Sequence, residues 1–167
     1  MIRLLTALLL AASSPPAGHA GGSAPSPIQQ RVDASFSAIP IGTPLSDVRG
    51  KLHEERKEGC EQSADCEWLG GDGVRYYFWG DGPDLLEVAV KSIEASDFEG
   101  KAIPALGIGT ARSRSDVRQA VARFSSEIEL ECGRSTCSAT LLPGWVTLTF
   151  DDQDLLTEVR LDGYHFT

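Results

Sequence analysis

The side chains with the most distinctive chemistry in this sequence are its four cysteines, which fall into two closely spaced pairs. Cys60 and Cys66 form the first pair, and Cys132 and Cys137 form the second. Such pairs suit either disulfide bonds in an oxidising compartment or thiolate ligands of a metal such as zinc. Five residues separate the first pair and four the second, which is beyond or at the upper limit of the roughly two to four residues of a zinc knuckle, and no histidine lies near either pair. We therefore predict two disulfides and no metal site.

The remaining polar residues form no recognisable catalytic motif. Gly71-Asp72-Gly73 and the glycine- and aspartate-rich residues 80–84 offer calcium ligands, but neither has the spacing or the closing glutamate of an EF-hand. Glycine and aspartate between strands are ordinary turn residues. The sequence contains no Gly-x-Ser-x-Gly, no His-Glu-x-x-His and no phosphate-binding loop. We expect no cofactor and no enzymatic activity, although paired carboxylates leave acid–base chemistry open.

The acidic composition limits the classes of partner. Asp and Glu number 24 against 15 Lys and Arg, which gives a formal net charge of −9. This charge argues against nucleic acid and against anionic membranes as partners. It is compatible with a protein partner of basic charge, and equally with a charge that serves solubility alone.

The first 20 residues have the pattern of a secretory signal peptide. Arg3 precedes an apolar run at residues 4–12 that is too short to cross a bilayer, and Gly18-His19-Ala20 supplies small residues for cleavage. No cysteine lies near this point, so we expect no lipid anchor. The sequence predicts a periplasmic or secreted protein without a stable membrane anchor, and it leaves the oligomeric state open.

An internal duplication organises the rest of the chain. Ser-Asp-Val-Arg occurs at residues 46–49 and again at residues 115–118. Ala-Ile-Pro and Gly-Thr precede each copy, a cysteine pair follows it, and Asp-Leu-Leu closes it. Because these features recur in one order, we predict two tandem repeats.

The predicted domains follow from this duplication. They are a signal peptide at residues 1–20, a flexible leader at 21–37, repeat one at 38–99 and repeat two at 100–167. Within the leader, residues 28–38 favour an irregular or short helical segment. Four cysteines allow three connectivities, and the duplication favours one disulfide per repeat, Cys60–Cys66 and Cys132–Cys137.

Each repeat is predicted to be α+β, with one helix packed on a small antiparallel sheet. The first helix begins at Thr43-Pro44, because threonine caps helices and proline suits the first position, and it ends near Gly59. Its predicted apolar stripe is Leu45, Val48 and Leu52. The second helix begins near Ser113, with Asp116 completing an acidic capping box. Its predicted apolar stripe is Val117, Ala120, Val121 and Phe124.

Alternating apolar residues predict the strands and turns. The strands are residues 74–79, 86–93, 127–132, 138–142, 145–150 and 156–161. The turn at residues 133–136 lies between two cysteines, so a disulfide there would hold a β-hairpin together.

Aligning Gly73 with Gly144 predicts which face of each strand is buried. Val146, Leu148 and Phe150 alternate with Trp145 and threonines, which marks them as core. The alignment then makes Tyr77 and Trp79 core and turns Val74, Tyr76 and Phe78 outward beside Trp145. In the following strands, Val88, Val90, Val159 and Leu161 are predicted core, whereas Glu87, Lys91, Glu158 and Arg160 are predicted to point outward. Arg75 falls on the predicted core face, and we place it at the rim.

The predicted outer faces combine aromatic and charged side chains. Their candidate partner-binding residues are Tyr76, Phe78, Trp145, Glu129, Glu158 and Arg160. Aromatic residues within a charged rim are typical of protein interfaces. The same aromatic residues could instead pack one repeat against the other, and both interpretations stay open.

This arrangement resembles the β-lactamase inhibitory protein family, which has two tandem repeats of a helix on an antiparallel sheet with a disulfide in each. The segment Ile-Gly-Thr-Pro-Leu-Ser-Asp-Val at residues 41–48, echoed at 108–117, is also similar to the Gly-Met-Thr-x-x-x-Val opening of the outer-membrane assembly lipoproteins of the BamE/SmpA type. The resemblance covers residues 38–167. It implies a concave sheet surface used for protein binding, without fixing individual binding residues.

Two functions of different class follow. The first is an exported protein-binding module, with inhibition of a hydrolase as one role that it would serve. The alternative is a structural cell-envelope component that holds another exported protein without inhibiting it.

Overall fold

The computed structural model describes residues 24–57, residue 60 and residues 65–163. The predicted signal peptide, Gly59 and His165 lie outside the described residues. Within them, no helix is both long and apolar enough to cross a membrane.

The chain forms a single eight-stranded antiparallel sheet with a few helices, so the predicted α+β class is confirmed. The strands are β1 Leu52–Lys57, β2 Asp65–Gly70, β3 Arg75–Trp79, β4 Glu87–Glu94, β5 Glu131–Cys132, β6 Thr136–Thr140, β7 Trp145–Phe150 and β8 Leu156–Asp162. Their order across the sheet is β1-β2-β3-β4-β8-β7-β6-β5.

The expectation of a separate small sheet for each repeat is wrong. β4 pairs with β8 from Val90 opposite Asp162 to Glu94 opposite Glu158. Had each group of four strands stayed separate, β4 and β8 would both be exposed edges with unpaired backbone groups. Their pairing satisfies those groups and makes one sheet.

The helix α1 spans Pro27–Phe36, within the segment predicted to be a flexible leader. The Ser26 hydroxyl accepts a hydrogen bond from the Gln29 backbone N–H at 3.3 Å, and Pro27 occupies the first turn. Val32 and Phe36 are fully buried. Residues from Pro27 onward therefore belong to the core, because the apolar positions of the helix pack under the sheet.

The two predicted repeat helices have different outcomes. α3, at Arg114–Phe124, is confirmed, with Ser113 as its cap and Val117, Ala120 and Val121 buried. The first helix, α2, spans only Leu45–Val48. A short 3-10 turn follows and β1 begins at Leu52, so the predicted helix to Gly59 is wrong. Gly50 in this turn disfavours helix continuation.

The predicted strand at residues 127–132 is mostly an unpaired segment. Only Glu131 and Cys132 pair with β6. The predicted alternation nevertheless holds in the burial: Ile128 is buried and Leu130 half-buried, whereas Glu127, Glu129 and Glu131 are exposed.

Both predicted disulfides are present. Cys60 bonds Cys66 with a Cα–Cα distance of 5.1 Å, and Cys132 bonds Cys137 with 4.0 Å. Cys132 lies directly opposite Cys137 in the β5–β6 pair, so this bond closes the predicted hairpin.

The predicted faces of β3 are reversed. Val74, Tyr76 and Phe78 are fully buried, whereas Trp79 is 43% exposed and Tyr77 is half-buried. Phe78 lies opposite the buried Cys66, just as Leu148 lies opposite the buried Cys137. If Phe78 of β3 is matched with Leu148 of β7, the alignment of these two strands differs by one residue from the predicted alignment of Gly73 with Gly144. A shift of one residue moves every side chain of a strand to the other face.

A bulge in β4 accounts for the remaining differences. Phe78 lies opposite Val88, but Tyr77 lies opposite Val90, so Ala89 is an extra residue in β4. An extra residue reverses the alternation of the strand beyond it. Val88 points into the core as predicted. Val90 is buried, but it lies on the outward side of the sheet with Tyr77 rather than on the predicted core side. Lys91, predicted to point outward, is fully buried on the core side.

The faces of β7 and β8 agree with prediction. Val146, Leu148 and Phe150 are buried, as are Val159 and Leu161. Together with the inward residues of β3 and the apolar residues of α1 and α3, they form one hydrophobic cluster.

Leu148→Ala should lower the free energy of unfolding by about 2–5 kcal/mol, because Leu148 is fully buried and the change leaves a cavity. Thr149→Ala, on the half-buried opposite face of the same strand, is the matched control and should change it by less than about 1 kcal/mol. Urea denaturation of both variants measures the difference. Equal effects would contradict the assignment of the β7 faces.

Phe78→Ala and Trp79→Ala test the faces of β3. Phe78 is fully buried, so its truncation should cost about 3–5 kcal/mol. Trp79 is 43% exposed, so its truncation should cost about 1 kcal/mol or less. The same denaturation measurement decides between them, and a larger loss for Trp79→Ala would restore the original prediction.

Candidate protein-binding face

One side of the sheet faces away from the hydrophobic cluster and is called the outer face here. The cross-strand pairs place its residues in rows that run from β2 to β6. The first row is Glu67, Tyr77, Val90, Asp162, Trp145 and Thr140. The second row is Leu69, Arg75, Ser92, Arg160, Thr147 and Ser138. The third row, from β4 to β6, is Glu94, Glu158, Thr149 and Thr136.

Aromatic side chains lie on both sides of a strip of smaller side chains in the middle of the outer face. Tyr77 and Trp79 lie on β3, and Trp145 lies on β7, three strand spacings from Tyr77 in the same row. That separation is about 14 Å at the usual spacing between strands. Between them the row holds only Val90 and Asp162. A depression of about 580 Å³ lies here, lined by Tyr77, Trp79, Val90 and Arg160.

An ion pair fixes the charge in this strip. The Arg160 guanidinium donates to both carboxylate oxygens of Asp162, with a shortest distance of 2.8 Å between Nη2 and Oδ1. The Asp162 hydrogen bond raises the pKa of Arg160, so the guanidinium stays charged. Asp162 is 3% exposed, whereas the Arg160 side chain is 46% exposed. Arg160 is therefore a positively charged side chain, fixed in position by Asp162, that lines the depression beside Tyr77 and Trp79.

Arg75, which also lies on the outer face, is neutralised by carboxylates. Its guanidinium lies 2.6 Å from a Glu94 oxygen, 3.2 Å from an Asp97 oxygen and 4.0 Å from a Glu67 oxygen. Arg75 lies on the predicted core face of β3, but that face is the outer one, so its guanidinium points outward among carboxylates.

The outer face is acidic overall. Among the described side chains, its basic residues are Arg75 and Arg160. Its acidic residues are Asp65, Glu67, Glu87, Glu94, Glu131, Glu158 and Asp162. The acidic residues surround the aromatic residues rather than alternating with basic ones, so the face carries a net negative potential.

Three of the six predicted binding residues lie on the outer face. They are Trp145, which is half-buried, Glu158 and Arg160. Glu129 lies at the side of the face, where it lines a depression of about 260 Å³ together with Ser138 and Thr140. Tyr76 and Phe78 are excluded, because both are fully buried in the core.

Sequence reasoning missed Tyr77, Trp79 and Val90 as outer-face residues. The signal that could have found the first two was Arg75. It shares their face by the two-residue period of a strand, and a charged side chain belongs outside far more often than in a core.

The described residues include a polar cluster on the core side, between α1 and the sheet. The Lys91 ammonium lies 2.6 Å from an Asp33 carboxylate oxygen, and the Tyr76 hydroxyl donates to Asp72 at 2.7 Å. Burial lowers the pKa of Lys91, and the neighbouring Asp33 opposes that shift. Burial also raises the pKa of Tyr76, which stays protonated. Because Lys91 is inaccessible to solvent, this cluster joins α1 to β4 rather than serving a ligand.

The described part of the chain holds no group of three or more His, Cys, Asp or Glu side chains placed to bind a metal ion. Comparison with known proteins finds no matching family model, no matching curated protein and no matching solved structure.

Arg160→Met should lower the free energy of unfolding by about 1–3 kcal/mol, because it leaves the buried Asp162 carboxylate without its donor. Arg118→Met on the exposed side of α3 is the control and should change it by less than about 0.5 kcal/mol. Thermal or urea unfolding measures both. Equal small effects would show that Asp162 does not depend on Arg160.

Proposed function

We propose that the protein is an exported protein-binding module that contacts its partner through the outer face. The observation that carries this proposal is the group of outward aromatic residues Tyr77, Trp79 and Trp145 on the outer face, away from the hydrophobic cluster. An antiparallel sheet can leave one face in water without aromatic residues, so their presence needs a reason. Large aromatic side chains beside arginine are the usual energetic centre of a protein interface.

Export is supported by the two disulfides, which are compatible with an extracytoplasmic compartment. Bonds of this kind are rare where thiols are kept reduced. The signal-peptide pattern at residues 1–20 points to the same compartment.

We also propose that the two halves are duplicated units that contribute equivalent strands to the face. β1–β4 and β5–β8 follow in mirrored order from the two edges to the β4–β8 pair. The disulfide residues Cys66 and Cys137 lie opposite Phe78 and Leu148, at corresponding places in the two halves. Under this arrangement the face is built from both units, which suits a single large partner.

The partner that this face fits has basic charge around an apolar centre. The acidic residues would steer such a partner and raise the association rate in a salt-dependent manner. The aromatic residues would slow its dissociation, because they are the groups that lose water on contact. Inhibition of a hydrolase follows if the partner is an enzyme whose catalytic cleft the face covers, and a structural role in the envelope follows if it is not.

The proposal is tested by affinity purification from an extracytoplasmic extract, followed by binding kinetics with the purified partner. Trp79→Ala and Trp145→Ala should each raise the dissociation rate at least about tenfold, since outward aromatic residues are typical hot spots. Circular dichroism should show that both variants keep their fold. If Trp145→Ala unfolds the protein, Trp145 serves packing within the chain and the proposed role of the face fails.

Charge is tested with two variants of equal net-charge change. Glu129→Gln at the side of the face should slow association, whereas Gln119→Lys on α3 should leave it unchanged. Each raises the net charge of the protein by one unit, Glu129→Gln by removing a negative charge and Gln119→Lys by adding a positive one, so the position of the change is what differs. Equal effects of the two variants would mean that overall charge, rather than the outer face, steers the partner.

A further inference from the structure

Another depression lies at one end of the outer face, where β4 ends and β8 begins, and is called the end cleft here. Its volume is about 820 Å³, the largest of the depressions described above. One wall is formed by residues 95–101, which follow β4, and the other by residues 151–157, which include the β7–β8 turn. Glu94 and Glu158 line both the end cleft and a smaller depression of about 170 Å³ on the outer face, which Arg75 and Arg160 also line, so the two surfaces are continuous.

The lining of the end cleft is apolar in one part and acidic in another. Ala95, Leu155 and Leu156 supply the apolar part, and Leu155 is 41% exposed. Glu94, Glu99 and Glu158 supply carboxylates at its margin. Such a lining suits a long amphipathic cation, whose methylene groups pack on apolar surface while its charged end reaches a carboxylate.

The basic residues of the end cleft do not neutralise these carboxylates. Arg112 donates to the backbone carbonyls of Phe98, Lys101, Gly109 and Ala111 at 2.8–3.0 Å, so its guanidinium is used within the chain. Lys101 is exposed. In the described part of the chain, Glu99 and Glu158 form no ion pair within 4.0 Å.

The pairing of β4 with β8 makes the acidic margin unfavourable for the free protein. Glu94 lies directly opposite Glu158 on the outer face. Like charges at directly opposite positions of a sheet destabilise it. Arg75 compensates Glu94 at 2.6 Å. Among the described side chains, Glu158 has only the longer-range attraction of Arg160, so it is the carboxylate that an external cation would stabilise further.

We propose that the end cleft receives an arginine side chain from a protruding loop of the protein partner that covers the outer face. Arginine fits better than lysine, because its planar guanidinium can donate to two carboxylates at once and is less strongly hydrated than an ammonium group. The Arg stem lies on Leu155 and Leu156, and its guanidinium lies between Glu158 and Glu99. This inference rests on the proposed function, since it names one feature of the partner's chemistry.

The experiment uses the capped peptide acetyl-Gly-Leu-Arg-Gly-amide as a probe, titrated at low salt into the isotopically labelled full chain and followed by NMR. We expect saturable shifts of backbone amides in residues 94–101 and 151–158. The matched probe has citrulline, an uncharged isostere, in place of arginine, and should bind at least about fivefold more weakly because charge-assisted hydrogen bonds are lost. Glu158→Gln and Glu99→Gln should each weaken the arginine probe, whereas Trp79→Ala should not.

Three results would overturn the inference: no shifts at millimolar probe, shifts confined to other surfaces, or equal affinity for the two probes. These results leave the proposed function standing if Trp79→Ala and Trp145→Ala still speed dissociation of the partner. Conversely, binding of the arginine probe at the end cleft together with unchanged partner kinetics in both tryptophan variants would support the cleft and refute the proposed role of the outer face.

Discussion

The pairing of β4 with β8 is the constraint on which the rest of the structure depends. It joins the strands of the two halves over five consecutive residue pairs, Val90–Asp162 to Glu94–Glu158. Through it, Tyr77 on β3 and Trp145 on β7 come to share one row of one face. It also removes two sheet edges that would otherwise expose backbone donors and acceptors. A chain in which these strands did not pair would have two small aromatic surfaces, neither wide enough for a typical partner.

On the core side of the sheet, β4 buries a charged side chain, Lys91. The bulge at Ala89 turns Lys91 inward, where Asp33 of α1 pairs with it. Desolvation offsets much of the attraction in such a pair, so its contribution to stability is small. A buried charge nevertheless excludes arrangements that would leave it unpaired. The pair therefore explains why α1 takes a defined position under the sheet, which together with Gln29 bonding to the Gly163 carbonyl keeps the helix off the outer face.

The features that could be predicted from the sequence are those decided within a few residues. The cap of α3, the Cys132–Cys137 hairpin and the faces of β7 all follow from local spacing. The faces of β3 did not, because they depended on an alignment that was wrong by one residue, and the bulge in β4 has no sequence signal in this chain. The single sheet was missed for a different reason. Pairing between β4 and β8 joins residues about 70 positions apart, and no local pattern specifies such a contact.

The two faces of the sheet meet different physical requirements, since one packs in the core and the other contacts water. Residues such as Phe78 and Leu148 lie opposite half-cystines in the core, where close packing limits substitution. Tyr77, Trp79 and Trp145 lie outside the hydrophobic cluster, so substitutions there should disturb the core less than substitutions at Phe78 or Leu148. Large aromatic side chains exposed to water offer little to a free protein and much to an interface. The acidic residues of the same face outnumber Arg75 and Arg160, so a cation that approaches the face would reduce the repulsion that these two arginines leave uncompensated.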